Sequence, residues 1–176
     1  SLLAAAIEGG SGTGYTNWVR EKIQIPLGMR SLRQASGKRT GYDMEGNRLK
    51  KVTLGNAAWR LPGGGWESNI LDLAKFANGL LQGSLLDHTS RLWTTVPGNP
   101  SYGYGVKYTR DKSHIWHEGM HLNSRAMIYL LPVSADRLGI VIMTNSVHSK
   151  PKRIARRLER LLTSDEWNYP NQSRRN

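Results

Sequence analysis

Apolar residues return at helical intervals through Ile70, Leu73, Ala74, Ala77, Leu80 and Leu81. That spacing predicts a helix with one face turned to a core. Ser68 or Asn69 can cap its start, and Gly83 stands where a left-handed C-cap belongs. Upstream, residues 2–8 form a short apolar helix candidate that Gly9 and Gly10 should stop. Tyr15, Trp18, Val19 and Ile23 predict a second helix over 15–25, ended by Pro26. Between them and the clear helix, residues 30–67 are polar with weak periodicity and read as a long irregular segment holding a flexible "PGGGW" turn at 62–66. Asp87 can cap a further short helix reaching Leu92–Trp93, before Asn99–Pro100 breaks the chain.

From there the period changes to two. Tyr102, Tyr104, Val106 and Tyr108 alternate with Gly and Lys as in a strand, and His114–His117 reads as a second, short strand. Ala126–Leu131 and Leu138–Thr144 are apolar runs joined by the turn "PVSAD". Four strands with short connections predict an antiparallel sheet. Ile154, Leu158, Leu161 and Leu162 give a last helix over Pro151–Leu162 an apolar side. The order is an α+β layout. It divides into a helical region with its loop (1–97), the sheet strands and terminal helix (98–162), and a basic tail (163–176) that should fray.

Composition narrows this picture. The 176 residues are 38% hydrophobic and 22% charged, the range of a folded chain. With no cysteine, disulfides and cysteine-based zinc sites are excluded. No apolar run approaches the roughly 20 residues that span a bilayer as a helix. The net charge of +12 is uneven, because residues 150–176 hold 8 of the 25 Lys and Arg and 3 of the 13 acids. The helix "KPKRIARRLERLL" could therefore meet nucleic acid or an anionic membrane surface, or be a solvated face opposite an apolar stripe. The opening "SLLAAAIEGG" has no initiator Met or charged leader ahead of it, and reads as the middle of a longer protein.

The chemistry concentrates in "IWHEGMHLNSR" (115–125). His117 can be a strand-end histidine, part of an active site, or one of a metal-binding trio with His114 and His121. Three stretches bear on the choice: "SLLAAAIEGGSGTGYTNWVREKIQIPLGM" (1–29), "LPGGGWESNILDLAKFANGLLQGSLL" (61–86) and "YGYGVKYTRDKSHIWHEGMHLNSRAMIYLLPVSADRLGIVIMTNS" (102–146). In order and spacing they resemble the serine β-lactamase and penicillin-binding-protein-like family, which includes D-alanyl-D-alanine carboxypeptidases and esterases.

That resemblance implies a hydrolase that cleaves an ester or amide through a serine acyl-enzyme, without metal or organic cofactor, on a small-molecule or peptide-like substrate. The family's Ser-x-x-Lys and Tyr-x-Asn motifs find no match in a suitable setting. Ser36 is followed three residues later by Arg39, and Ser149–Lys152 opens a basic helix. Tyr15–Asn17 falls after the helix that follows this motif in the family. The resemblance thus places both motifs upstream of Ser1, in a missing N-terminal part, and leaves this piece inactive by itself. It makes His117 the electrostatic or hydrogen-bonding side chain, Gly119 the close-approach position and the Met120 N–H an oxyanion donor. Glu118, where relatives carry Ser or Thr, is a substrate-binding position that would oppose a carboxylate ligand. The rival is a non-catalytic relative, or a basic module that binds anionic partners. The compartment stays open.

Overall fold

The computed structural model describes residues 1–86, 101–121, 123–134 and 137–164. The predicted helix around Asp87–Trp93 and most of the tail after Thr163 lie outside the described residues. At the centre, β5 (Lys107–Tyr108), β6 (Ile115–His121), β7 (Ser124–Leu131) and β8 (Leu138–Thr144) form the expected antiparallel sheet in the order β5-β6-β7-β8. The register pairs Ile115 with Leu130, His121 with Ser124, and Tyr129 with Ile140.

Period-two alternation gives this sheet two buried faces. Ile115 and Leu130 pack with Val106 and Tyr108 against Ala77, Leu80 and Leu81 of α3 (Ile70–Gln82). Met127, Tyr129, Leu131, Ile140 and Ile142 pack on the other side around Ala155 of α4 (Pro151–Leu162). Both helices begin and end where their sequences direct. The Asn69 side chain accepts from the Asp72 N–H at 2.9 Å, and Gly83 closes α3 in the left-handed region at φ 74°. Pro151 opens α4 at a position whose N–H has no partner in a helix.

Glu159, the one acid of α4, turns inward. Its carboxylate lies 2.6 Å from His114 Nε2 and accepts from Tyr129 O–H at 2.9 Å, clamping the helix to two strands. Burial first, and Glu159 second, push the Tyr129 hydroxyl up to about 12. The basic residues of α4 are left on its outer sides.

Elsewhere the elements depart from the expected ones. The first helix, α1 (Leu2–Ser11), runs through Gly9 and Gly10 and stops at Gly12, φ 66°. Glycine weakens a helix by about 1 kcal/mol but does not end it unless the chain turns left-handed there. The second is α-helical only over α2 (Tyr15–Val19). It then widens into a π-type turn (Arg20–Gln24), in which the Ile25 N–H reaches back to the Arg20 carbonyl.

The stretch 30–67 is not irregular. It holds β2 (Thr40–Glu45) and β3 (Arg48–Thr53), a hairpin turned by Gly46. It also holds β1 (Arg33–Gln34), paired with β4 (Trp66–Glu67). The Tyr42 N–H bonds the Asn145 carbonyl at 2.7 Å, so the hairpin leans on the end of β8. Between Tyr102 and Tyr108 only the last two residues are a strand, because Gly105 turns left-handed at φ 79°.

"PGGGW" is tight rather than loose at one position. A Cβ on Gly65 would sit 2.7 Å from the Ala57 carbonyl oxygen and 2.7 Å from the Leu61 nitrogen, whereas one on Gly64 would meet nothing. Gly65→Ala should therefore destabilise the chain by about 1–3 kcal/mol, the usual cost of overpacking against atoms that cannot yield. Gly64→Ala should change it little. Paired denaturant melts check this, and equal effects would contradict the packing.

Asp72, in the first turn of α3, is buried. It accepts from both the N–H and the hydroxyl of Ser31 at 2.6 Å and from Lys75 at 2.9 Å. The Ser31 hydroxyl first, helped by Lys75 and outweighing the upward push of burial, holds the carboxyl down at about 2. Since its folded pKa lies below the unfolded one, Asp72 stabilises the fold at and above pH ~4. That contribution fades as the pH falls toward about 2. Asp72→Asn should lower the melting temperature at pH 6 and flatten its decline across that acid window. A decline as steep as the parent's would show that Asp72 is not the titrating group.

Candidate active site

Beside the sheet lies an open cavity of about 800 Å³. One wall comes from the ends of β6, β7 and β8, through Gly119–His121, Ser124–Ala126 and Met143–Asn145. Opposite stand Tyr15, Val19 and Ile23 of the α2 segment and Leu73 and Phe76 of α3. The β1–β4 ribbon and the glycine turn supply Trp66, Glu67, Gly63 and Gly64. Most of this lining is apolar.

Strand geometry decides what β6 presents to it. The Thr109 N–H donates to the His114 carbonyl at 3.0 Å, so the peptide groups of His114 point toward β5. In an antiparallel strand the direction alternates residue by residue. His117, Gly119 and His121 thus direct their backbone groups to β7, while Glu118 and Met120 direct theirs to the β5 side. β5 pairs with β6 only through Trp116. Among the described residues no strand pairs with β6 beyond Trp116 on this side, so the N–H groups of Glu118 and Met120 project from an edge without a strand partner there. A Cβ added to Gly119 would meet nothing within 4 Å, so the space in front of that residue is open.

The side chains divide by the same alternation. His117, Gly119 and His121 share the face that α3 covers farther down, and Trp116, Glu118 and Met120 face the α4 side. Gly119, Met120 and His121 border the cavity, while His117 stands on the same face just outside its lining. Partial desolvation of the His117 ring, and then Lys107, hold its pKa below the ordinary imidazole value against the pull of Glu118. That lowering favours the neutral, hydrogen-bonding form of the ring over the cation. Glu118 turns away from the cavity, toward Lys107 Nζ at 3.9 Å and a second hollow beside Lys152. Its charge therefore does not stand in the path of a ligand in the cavity. The three histidines do not converge: His114 is bound to Glu159 on the α4 side, and no metal-binding group of three acids, His or Cys occurs among the described residues.

Several cavity groups escaped the sequence reading. Glu67 is buried and accepts from Arg33 Nε at 2.8 Å and from the Ser36 hydroxyl at 3.1 Å. Arg39 Nε lies 2.9 Å from its other oxygen, an ion pair without an aligned hydrogen bond. Burial pushes the Glu67 carboxyl up, but Arg33 and Ser36 outweigh it and hold it below its usual range. His121 is held down by burial first, then by Arg60 and Arg39. These residues come from segments far apart in sequence, and only the ribbon and the hairpin bring them to one wall.

Comparison with known proteins follows from this geometry. The family model described as Beta-lactamase matches residues 1–164. Among solved structures, the chain is similar to the octameric penicillin-binding protein homologue from Pyrococcus abyssi, with TM-score 0.75 and 24% identity over 92% of this chain and 40% of that one. It is also similar to FmtA from Staphylococcus aureus, with TM-score 0.69 and 19% identity over 86% of this chain and 45% of that one. A third is the D-amino acid amidase from Ochrobactrum anthropi SV3 in complex with D-phenylalanine, with TM-score 0.65 and 18% identity over 90% and 55%. The chain thus spans 40% to 55% of the length of these structures. No curated protein matches it at significant similarity.

Proposed function

The chain belongs to the beta-lactamase family, and on that premise we propose that it is the C-terminal portion of a serine hydrolase that cleaves an ester or amide through an acyl-enzyme. The observation that carries this reading is the unpaired edge of β6 at the cavity. An acyl transfer needs a donor aimed where negative charge develops on the substrate oxygen. The Met120 N–H is such a donor, without a strand partner among the described residues. Gly119 leaves the approach open, and the His117 ring stands two residues away on the cavity-side face as a hydrogen-bonding group. An extended substrate can add to the same edge as a short strand, using the Glu118 backbone while the Glu118 side chain stays outside.

The nucleophile belongs to another segment in this proposal. Among the described residues no lysine lines the cavity, and its hydroxyl groups have no basic partner of the Ser-x-x-Lys kind. The half-length match to the solved structures and the large apolar wall support a further stretch of polypeptide closing the site. A second reading, a basic module for anionic partners, draws on one observation. Glu159 is turned inward, which leaves Lys152, Arg153, Arg156, Arg157 and Arg160 without an acid among them on α4.

The two readings part on activity. The chain alone should not turn over a chromogenic ester or β-lactam above a heat-treated control. The longer protein, carrying an upstream Ser-x-x-Lys, should do so. In it, His117→Ala should lower kcat by roughly 10²–10³-fold, the usual effect of losing one preorganised donor. Since His117 works as the neutral ring, turnover should fall as the pH drops below its lowered pKa and hold steady through pH 7 to 8. His114→Ala should leave kcat near the parent's and lower the melting temperature, because it frees α4. An inactive longer protein would leave the binding-module reading in possession, whereas full activity in His117→Ala would keep the enzyme and remove His117 from its machinery.

A further inference from the structure

The outer side of α4 carries two kinds of side chain. Pro151 and Ala155 are buried against the sheet, and Glu159, the one acid of the helix, is engaged by His114 and Tyr129. Arg153, Arg157 and Arg160 are exposed. Ile154, Leu158 and Leu161 are exposed as well, by 41%, 38% and 49%. Their spacing sets these three in one stripe along the helix. At about 3.6 residues per turn, the three arginines form the neighbouring row. Apolar side chains standing in water gain by burial, and guanidiniums gain from phosphate oxygens. A lipid surface with anionic headgroups offers both at once, since the stripe can enter the acyl boundary while the arginines reach up to the phosphates. A nucleic acid offers phosphates only, and α4 holds no aromatic residue on which a base could stack. No described helix is long and apolar enough to cross a membrane, so the contact fits a helix lying along the surface.

We propose that the outer side of α4 docks on an anionic lipid surface, with Ile154, Leu158 and Leu161 entering the headgroup boundary and Arg153, Arg157 and Arg160 bound to lipid phosphates. The proposal rests on the second reading above, a module for anionic partners, and names the partner's chemistry. It is also compatible with the hydrolase. α3 and α4 cover opposite faces of the sheet, and α3 walls the cavity, so docking through α4 keeps the cavity on the face turned from the lipid.

Vesicle binding tests it without turnover. The 176-residue chain is sedimented with vesicles of phosphatidylcholine alone and with vesicles of phosphatidylcholine and phosphatidylglycerol in equal parts. The salt is kept at about 0.1 M, where surface charges still act over roughly 10 Å. The anionic vesicles should bind about 100-fold more tightly, since each exposed basic residue near such a surface contributes about fivefold. Arg153→Gln combined with Arg157→Gln should remove about 30-fold of that affinity. The chain has no cysteine, so Leu161→Cys gives a single labelling point for a polarity-sensitive dye. On anionic vesicles the emission of that dye should shift to the blue. The same dye on Leu49→Cys, exposed on the β2–β3 hairpin, should not shift. Melting temperatures near the parent's confirm that the variants fold. Equal affinity for the two vesicles, no blue shift at position 161, an equal shift at position 49, or full affinity in the double arginine variant would overturn the proposal. Tighter binding of a short DNA duplex than of the anionic vesicles would overturn the lipid surface and keep an anionic partner. Binding of neither would remove the anionic-partner reading as well.

Discussion

β5 ends at Tyr108 while β6 runs on to His121, and the proposed site depends on the edge that this difference leaves unpaired among the described residues. A strand inside a sheet spends its peptide groups on two neighbours. Past Trp116, β6 spends half of them on β7 and offers the other half to whatever enters the cavity. Open edges ordinarily invite unwanted strand addition. Here the edge is short, it opens beside a hollow, and the glycine in it bares the backbone.

The edge is useful only if the sheet is held still. Hydrophobic burial does most of this, with α3 on one face and α4 on the other. Three acids fix the details. Glu159 ties α4 to His114 and Tyr129, Asp72 ties the loop at Ser31 to the start of α3, and Glu67 ties β1 and Arg39 to the cavity wall. Each carboxylate is half-buried or buried and serves partners on two separate segments. These three acids turn inward, while the cations of α4 other than half-buried Lys152 stay exposed.

How much of this was legible follows from where side-chain pattern and burial coincide. α3 and α4 were readable at both ends, because apolar spacing, an Asn cap, a left-handed glycine and an opening proline all agreed. β8 was readable for its apolar run. The β2–β3 hairpin was not: of its residues only Gly41 is buried, so alternation left no apolar trace. β6 was cut short at His117 because its last residues are exposed and polar, and register with β7 holds them in the strand instead. Gly119 and Met120, singled out by resemblance, border the cavity. The outward turn of Glu118 was available from period two alone, since it alternates with Gly119. Arg60 and Glu67 were beyond reach, because no local pattern signals which distant loops will meet, and His121, read as a possible metal ligand, borders the cavity instead.

Amide hydrogen exchange along β6 tests the central claim most directly. If the strand presents an unpaired edge to the cavity, protection alternates: the Gly119 and His121 amides exchange slowly, bonded to β7, while those of Glu118 and Met120 exchange at rates close to those of exposed loops. Uniform protection from His117 through His121 would contradict the account, since the Met120 N–H would then be committed within the fold and could not serve a reacting oxygen.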